Sequence, residues 1–181
     1  MKRTIALTCI LALIILCLGG CCDSKTLERP ADTNLEFWIT EDVTDFDFSD
    51  YYEVPGWFGA RQYYGIAYKP AGFKEGNFPI EPEYCVKYKV TSYPDYSSKR
   101  GHITGISISD PKITFYGISL ESTDDEIIEA LTSNGFTYVP LEENSIYGHR
   151  LYFEQGNVKV RFFEKVVTLE AEVTNKKGIV F

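Results

Sequence analysis

The sequence predicts an α+β domain: a mostly antiparallel sheet with one short helix packed on it. Three features lead there. Short runs rich in Tyr, Phe, Val and Ile alternate with polar residues and are cut by Pro and Gly, as strands with one buried face are. A single window, residues 123–136, carries both a helix start and a helix stop signal. After it, Gly156-Asn157 separates two alternating runs in the manner of a tight hairpin, so the C-terminal half reads as strand, helix and three-strand meander.

Residues 35–100 hold 17 of the 27 aromatic side chains and are punctuated by Pro55-Gly56, Pro70-Ala71-Gly72, Pro79 and Pro82. Strands are predicted over residues 35–40, 62–68 and 84–92. In the last of these Tyr84, Val86, Tyr88 and Val90 alternate with Cys85, Lys87 and Lys89, giving one apolar and one basic face. Strands over 102–109 and 113–117 flank Asp110-Pro111, where proline supplies no ladder donor. The helix starts where the Thr123 hydroxyl can accept from the backbone of Glu126 while the Glu126 carboxylate reaches back, a capping box. Its apolar stripe is Ile127, Ile128, Ala130 and Leu131. Asn134-Gly135 offers a left-handed stop with Phe136 as the hydrophobic contact. Strands over 147–154, 157–163 and 166–173 follow. They place Val158, Val160 and Phe162 opposite Lys159 and Arg161, and Val167, Leu169, Ala171 and Val173 opposite Thr168, Glu170 and Glu172. The basic row of one strand can then face the acidic row of the next.

Over residues 113–173 a run Ile-Thr-Phe-Tyr-Gly-Ile-Ser-Leu (113–120), a capped helix closing in Asn-Gly-Phe and an antiparallel meander together resemble the β-lactamase-inhibitor-like domains of small bacterial envelope lipoproteins. The resemblance implies a helix-on-sheet layer whose exposed sheet face binds other proteins, and it lends no catalytic residue. Those domains carry two helices before the sheet, where one is legible here.

The N-terminus has the layout of an export signal: Lys2 and Arg3, an apolar stretch over 4–18, then Gly19 and Gly20. The stretch is shorter than the roughly 20 apolar residues that a spanning helix needs. Leu18-Gly19-Gly20-Cys21 resembles the lipobox of bacterial lipoproteins. That implies removal of residues 1–20 and lipidation of Cys21, with the product held to a membrane on its extracytoplasmic face. Two or more acyl chains anchor stably where one does not. Residues 21–34 then read as the lipidated cysteine and a polar tether, and residues 35–181 as a single globular domain.

Loss of Lys2 and Arg3 with the leader takes the formal charge from −8 to −10. Nucleic acid is therefore excluded as an expected partner, since binding it calls for a basic face. Of the five cysteines, Cys9 and Cys17 leave with the leader and Cys21 is lipidated; Cys22 and Cys85 do not make a disulfide scaffold.

Three constellations bear on chemistry. Glu41, Asp42, Asp45, Asp47, Asp50 and Glu53 form a carboxylate run, but without the glycine turn and distal glutamate of a calcium loop. They read as a solvated acidic loop with Phe46 and Phe48 plugged into the core. Cys85, sharing a strand face with Lys87 and Lys89, is the one candidate nucleophile, and His102 and His149 are the only histidines to serve as base. Trp38, Trp57, Phe58, Tyr63, Tyr64 and Tyr68 are aromatics suited to core or to stacking, with Trp57 and Phe58 placed on a loop after Pro55-Gly56. The expectation is a non-catalytic protein-interaction module with no metal or cofactor, anchored in the membrane by lipid and meeting an envelope protein or glycan. Two alternatives stand beside it: a carbohydrate-binding module using Trp57, Phe58, Tyr63 and Tyr64, and a thiol enzyme built on Cys85.

Overall fold

The computed structural model describes residues 27–54, 63–69, 74, 85–91, 101–140, 148 and 150–172, with the side chains of Tyr63 and Tyr64 outside that set. Eight strands among these residues form one antiparallel sheet: β1 (Tyr51–Glu53), β2 (Tyr63–Tyr68), β3 (Val86–Thr91), β4 (His102–Ile108), β5 (Thr137–Tyr138), β6 (Leu151–Gln155), β7 (Val158–Phe162) and β8 (Val167–Ala171). One helix, α1 (Asp124–Ser133), lies between β4 and β5. The sheet order is β1-β2-β3-β4-β8-β7-β6-β5. The first four strands thus add side by side, the chain crosses to the far edge through α1, and the last four return inward until β8 docks on β4.

Alternation sets the two faces. Along β7 and β8 every second residue is buried, and Val158, Val160, Phe162, Val167, Leu169 and Ala171 join Ile66, Tyr88, Val90, Ile106, Ile108, Leu151 and Phe153 in one apolar cluster. The spacing of Ile103, Ile106 and Ile108 breaks the period of two. A bulge restores it: Lys89 pairs with Gly105 and Val90 with Ile103, leaving Thr104 as the extra residue, so that Ile103 still reaches the core. The buried Thr104 hydroxyl is matched by that of Thr91 at 2.7 Å.

The helix has the termini expected of it. Glu126 N–H donates to Thr123 Oγ1 at 3.4 Å and Thr123 N–H to Glu126 Oε2 at 2.8 Å. At the other end Gly135 has φ 87°, Gly135 N–H donates to the Thr132 carbonyl and Phe136 N–H to the Leu131 carbonyl, the paired bonds of a Schellman stop. Ile127 and Leu131 are completely buried in the cluster, and Phe136 is buried beside them.

Three expectations are corrected. Residues 35–40 are not a strand. Leu35, Phe37, Trp38 and Ile39 are all buried, which a two-faced strand does not allow. The segment is instead a cover laid over the β1–β4 half of the sheet. Its backbone is satisfied by side chains and by β4: Arg29 donates to the Leu35 and Glu36 carbonyls, Trp38 N–H donates to Glu41 Oε2 at 2.7 Å, and Thr40 N–H donates to the Ile103 carbonyl at 2.7 Å.

Residues 113–117 are likewise a tight turn, not a strand. Phe115 and Ile118 exchange backbone bonds at 3.1 Å across Tyr116 (φ 54°) and Gly117 (φ 75°). The turn is held from outside, since Gly117 N–H donates to the Asp32 carboxylate and the Tyr116 hydroxyl donates to the Glu28 carbonyl at 3.3 Å.

Residues 27–34, assigned to the tether, belong to the folded body. Thr33 Oγ1 donates to the Thr114 carbonyl at 2.8 Å, Asn34 exchanges side-chain bonds with the backbone of Lys112 and Thr114, and Trp38 Nε1 donates to the Leu27 carbonyl at 3.1 Å. A polar composition describes this strip as well as it describes a tether, because its partners are backbone groups distant in sequence.

Candidate functional site

With the cover and α1 on one face, the other face of the sheet carries the polar halves of β3, β4, β8, β7 and β6. Register places the side chains. Lys89 pairs with Gly105, Gly105 with Glu170, Glu170 with Lys159 and Lys159 with Glu154, so a row of alternating charge crosses five strands. One step along, Ser107, Thr168, Arg161 and Tyr152 form a parallel row.

These side chains brace one another. Arg161 pairs with Glu170 at 2.6 Å and its guanidinium lies 5.3 Å from the centre of the Tyr152 ring, combining an ion pair with a cation–π contact. Lys159 pairs with Glu172, and the Tyr152 hydroxyl donates to the Glu154 carboxylate. Burial, then that carboxylate, push the Tyr152 phenol up to about 12. Burial pulls the Lys89 ammonium below its ordinary range while Glu170 pulls the other way. Gly105 explains how Lys89 lies flat: a Cβ on Gly105 would stand 3.0 Å from Lys89 Cβ and 3.2 Å from its Cδ. Arg161 and Lys159 remain 26% and 30% exposed, so the network is open to solvent. Such an array can offer a partner rigidly held donors, acceptors and one aromatic ring.

The opposed rows Lys159, Arg161 and Glu170, Glu172 were readable from alternation. The contributions of Tyr152, Lys89 and Gly105 were missed. Tyr152 could have been found as the partner of Arg161 in a hairpin turning at Gly156; Lys89 and Gly105 join the array only through the β4–β8 pairing, which carries no local signal.

The other sequence-derived candidates fall elsewhere. Trp38 is core, 2% exposed, with its ring 6.3 Å from Phe115 and 5.9 Å from Tyr116. Tyr63 and Tyr64 lie on β2 opposite Thr91 and Val90. Cys21, Cys22, Trp57, Phe58 and His149 lie outside the described residues. Cys85 is half-buried and its sulfur lies 3.6 Å from Ser109 Oγ, while His102 sits at the opposite end of β4, in a backbone bridge with Asp42. The two are not brought together. Within the acidic run, Phe48 is buried as expected but Phe46 is not, being 39% exposed. Asp42 and Asp47 turn one oxygen each to the backbone N–H of Thr44 and Ser49, both at 2.9 Å, and the Thr44 bonds hold the Asp42 carboxyl below its ordinary value. Among the described residues no three His, Cys, Asp or Glu side chains converge as metal ligands would.

Compared with protein-family models, with curated proteins and with solved structures, the chain matches none of them.

Proposed function

We propose that the chain is a non-catalytic binding module held to the outer face of a bacterial membrane by lipid on Cys21, and that it takes a protein partner on the open face of its sheet. The single observation behind the partner reading is the braced charged array centred on Arg161. Arg and Tyr are the residue types in which interface energy concentrates, and here both are pre-positioned, so little side-chain freedom is lost on binding. The anchor rests on the export signal and on Leu18-Gly19-Gly20-Cys21. We also read β6, β7 and β8 as the three-strand meander of a β-lactamase-inhibitor-like unit. Their consecutive antiparallel pairing supports that reading, and the turn at 115–118 stands where such a unit would carry a strand.

The test is crosslinking capture in the producing cell, comparing wild type with Arg161→Ala and Tyr152→Ala. Either change should reduce capture roughly thirtyfold, as a central anchor of about 2 kcal/mol would, with thermal unfolding retained. Undiminished capture by both variants would remove the open face from consideration. Cys21→Ala, followed with a labelled fatty acid, should abolish lipid incorporation and either leave the precursor uncut or release protein to the medium. A variant still lipidated and retained would overturn the anchor.

A further inference from the structure

The two large apolar side chains left exposed among the described residues, Phe46 at 39% and Tyr68 at 64%, each pack against the same buried ring, Tyr51. Tyr51 lies 6.1 Å from Phe46 and 5.6 Å from Tyr68, both edge-on. Below them Phe37 touches Phe46 at 4.7 Å, Tyr51 at 5.8 Å and Tyr88 at 5.1 Å, and Phe48 closes the group at 4.9 Å from Phe46. The Tyr51 hydroxyl is fixed by donation to the Glu36 carboxylate. The platform is therefore rigid underneath and wet on top. Isolated surface apolar residues need no explanation, but convergence on one aromatic base at a sheet edge does.

The rim decides the partner. Asp42, Asp45, Asp47, Asp50 and Glu53 are all exposed in and beside the loop that carries Phe46. Two cations border them among the described residues: Lys69 places its ammonium on the Ser49 carbonyl, and Arg29 pairs with Glu41 at 3.5 Å, so the carboxylates of the rim still outnumber them. Aromatic faces with carboxylates beside them attract a cation twice, through the ring quadrupole and through charge. Anionic lipid and nucleic acid are repelled by the same rim.

We propose that this platform at the β1–β2 edge binds an extended basic segment of another protein, seating an Arg or Lys side chain against Tyr68 and Phe46. It uses none of the residues of the open sheet face and does not depend on that reading. The experiment is fluorescence anisotropy with the full chain in detergent and a labelled arginine-rich nonapeptide, at low and at physiological salt. Tyr68→Ala should weaken binding roughly tenfold, and Tyr68→Phe should keep it, because the ring and not the hydroxyl receives the cation. The pair Asp45→Asn with Asp50→Asn should weaken it by a similar factor and flatten its salt dependence. Glu121→Gln with Glu129→Gln makes the same change in net charge on and beside α1, which packs by β5 at the opposite edge of the sheet, and should leave binding unaltered. Equal loss in both charge pairs would reduce the effect to diffuse attraction and overturn the site, as would full binding by Tyr68→Ala. Displacement of the peptide by a neutral chito-oligosaccharide, insensitive to salt, would assign the platform to sugars and overturn the proposal also.

Discussion

Thr40 holds φ 71° at the corner of a turn closed by Glu41 N–H on the Trp38 carbonyl at 3.1 Å. A left-handed backbone costs a non-glycine residue about 1–2 kcal/mol, and a β-branched one is among the least suited. The turn persists because Trp38 and Ile39 are buried on one side of it and Thr40 N–H reaches the Ile103 carbonyl on the other. Thr40→Gly keeps that donor and relieves the strain, less the entropy of a freer unfolded chain. A net gain of about 0.5–1 kcal/mol is expected, read as a raised midpoint in urea. A lowered midpoint would mean that the Thr40 side chain contributes more than its strain costs. The tyrosines make a second prediction. Burial foremost pushes Tyr88 and Tyr116 up to about 12 from the ordinary 10.0, and Tyr51 rises further with the Glu36 carboxylate adding to burial. A folded-state value above the unfolded one means stability that is full below about pH 10 and is lost as pH climbs towards 12. Absorbance at 295 nm should show a part of the tyrosines ionising only together with unfolding. Smooth titration of all of them ahead of any loss of structure would show these rings to be solvated.

At the scale of elements, what was legible depended on how far each interaction reaches along the chain. The helix is closed by bonds within a few residues, Thr123 with Glu126 and Phe136 with Leu131, so its ends could be read directly. Leu131→Ala should cost about 2–5 kcal/mol by opening a cavity at a fully buried site, against about 1 kcal/mol for Thr123→Ala at the cap. Chemical denaturation that ranks the two in the reverse order would displace Leu131 from the core. The cap also titrates: bonds from Thr123 hold the Glu126 carboxylate below its ordinary value, so its contribution is present above the carboxylate range and fades as pH falls through it. Alternation served equally well for β7 and β8, whose pattern of burial follows their sequence residue by residue. It failed for residues 35–40 and 113–117. Both are apolar and β-branched enough to pass for strands, yet their hydrogen bonds go to Arg29, Glu41 and Asp32 in place of a ladder. Side-chain partners so placed leave no periodic trace.

At the scale of the molecule the docking of residues 27–34 shortens the reach of the proposed anchor. Between a lipidated Cys21 and the fixed Leu27 an extended chain would span about 20 Å, so the proposed anchor would hold the body close to the bilayer by the corner where Trp38 Nε1 meets the Leu27 carbonyl. Inserting a flexible Gly-Ser segment of about 20 residues between Cys21 and Leu27 should make the body accessible to a large, membrane-excluded thiol reagent at a cysteine introduced at the exposed Glu28, a site that the native spacing would shield under the proposed anchor. Equal labelling with and without the insert would contradict the close tether. Local sequence pattern was enough for the class of the fold, the ends and buried stripe of α1, the two faces of β3, β7 and β8, and the opposed charges of β7 and β8. Each of these rests on periods of two or of about 3.6 residues, or on contacts a few residues apart. Long-range packing alone places β8 beside β4, residues 35–40 over the β1–β4 half of the sheet, and both Phe46 and Tyr68 against Tyr51. Those outcomes join residues that the chain keeps apart. They depend on which apolar faces remain uncovered once the local elements have formed, a quantity that belongs to the whole surface and to no stretch of sequence.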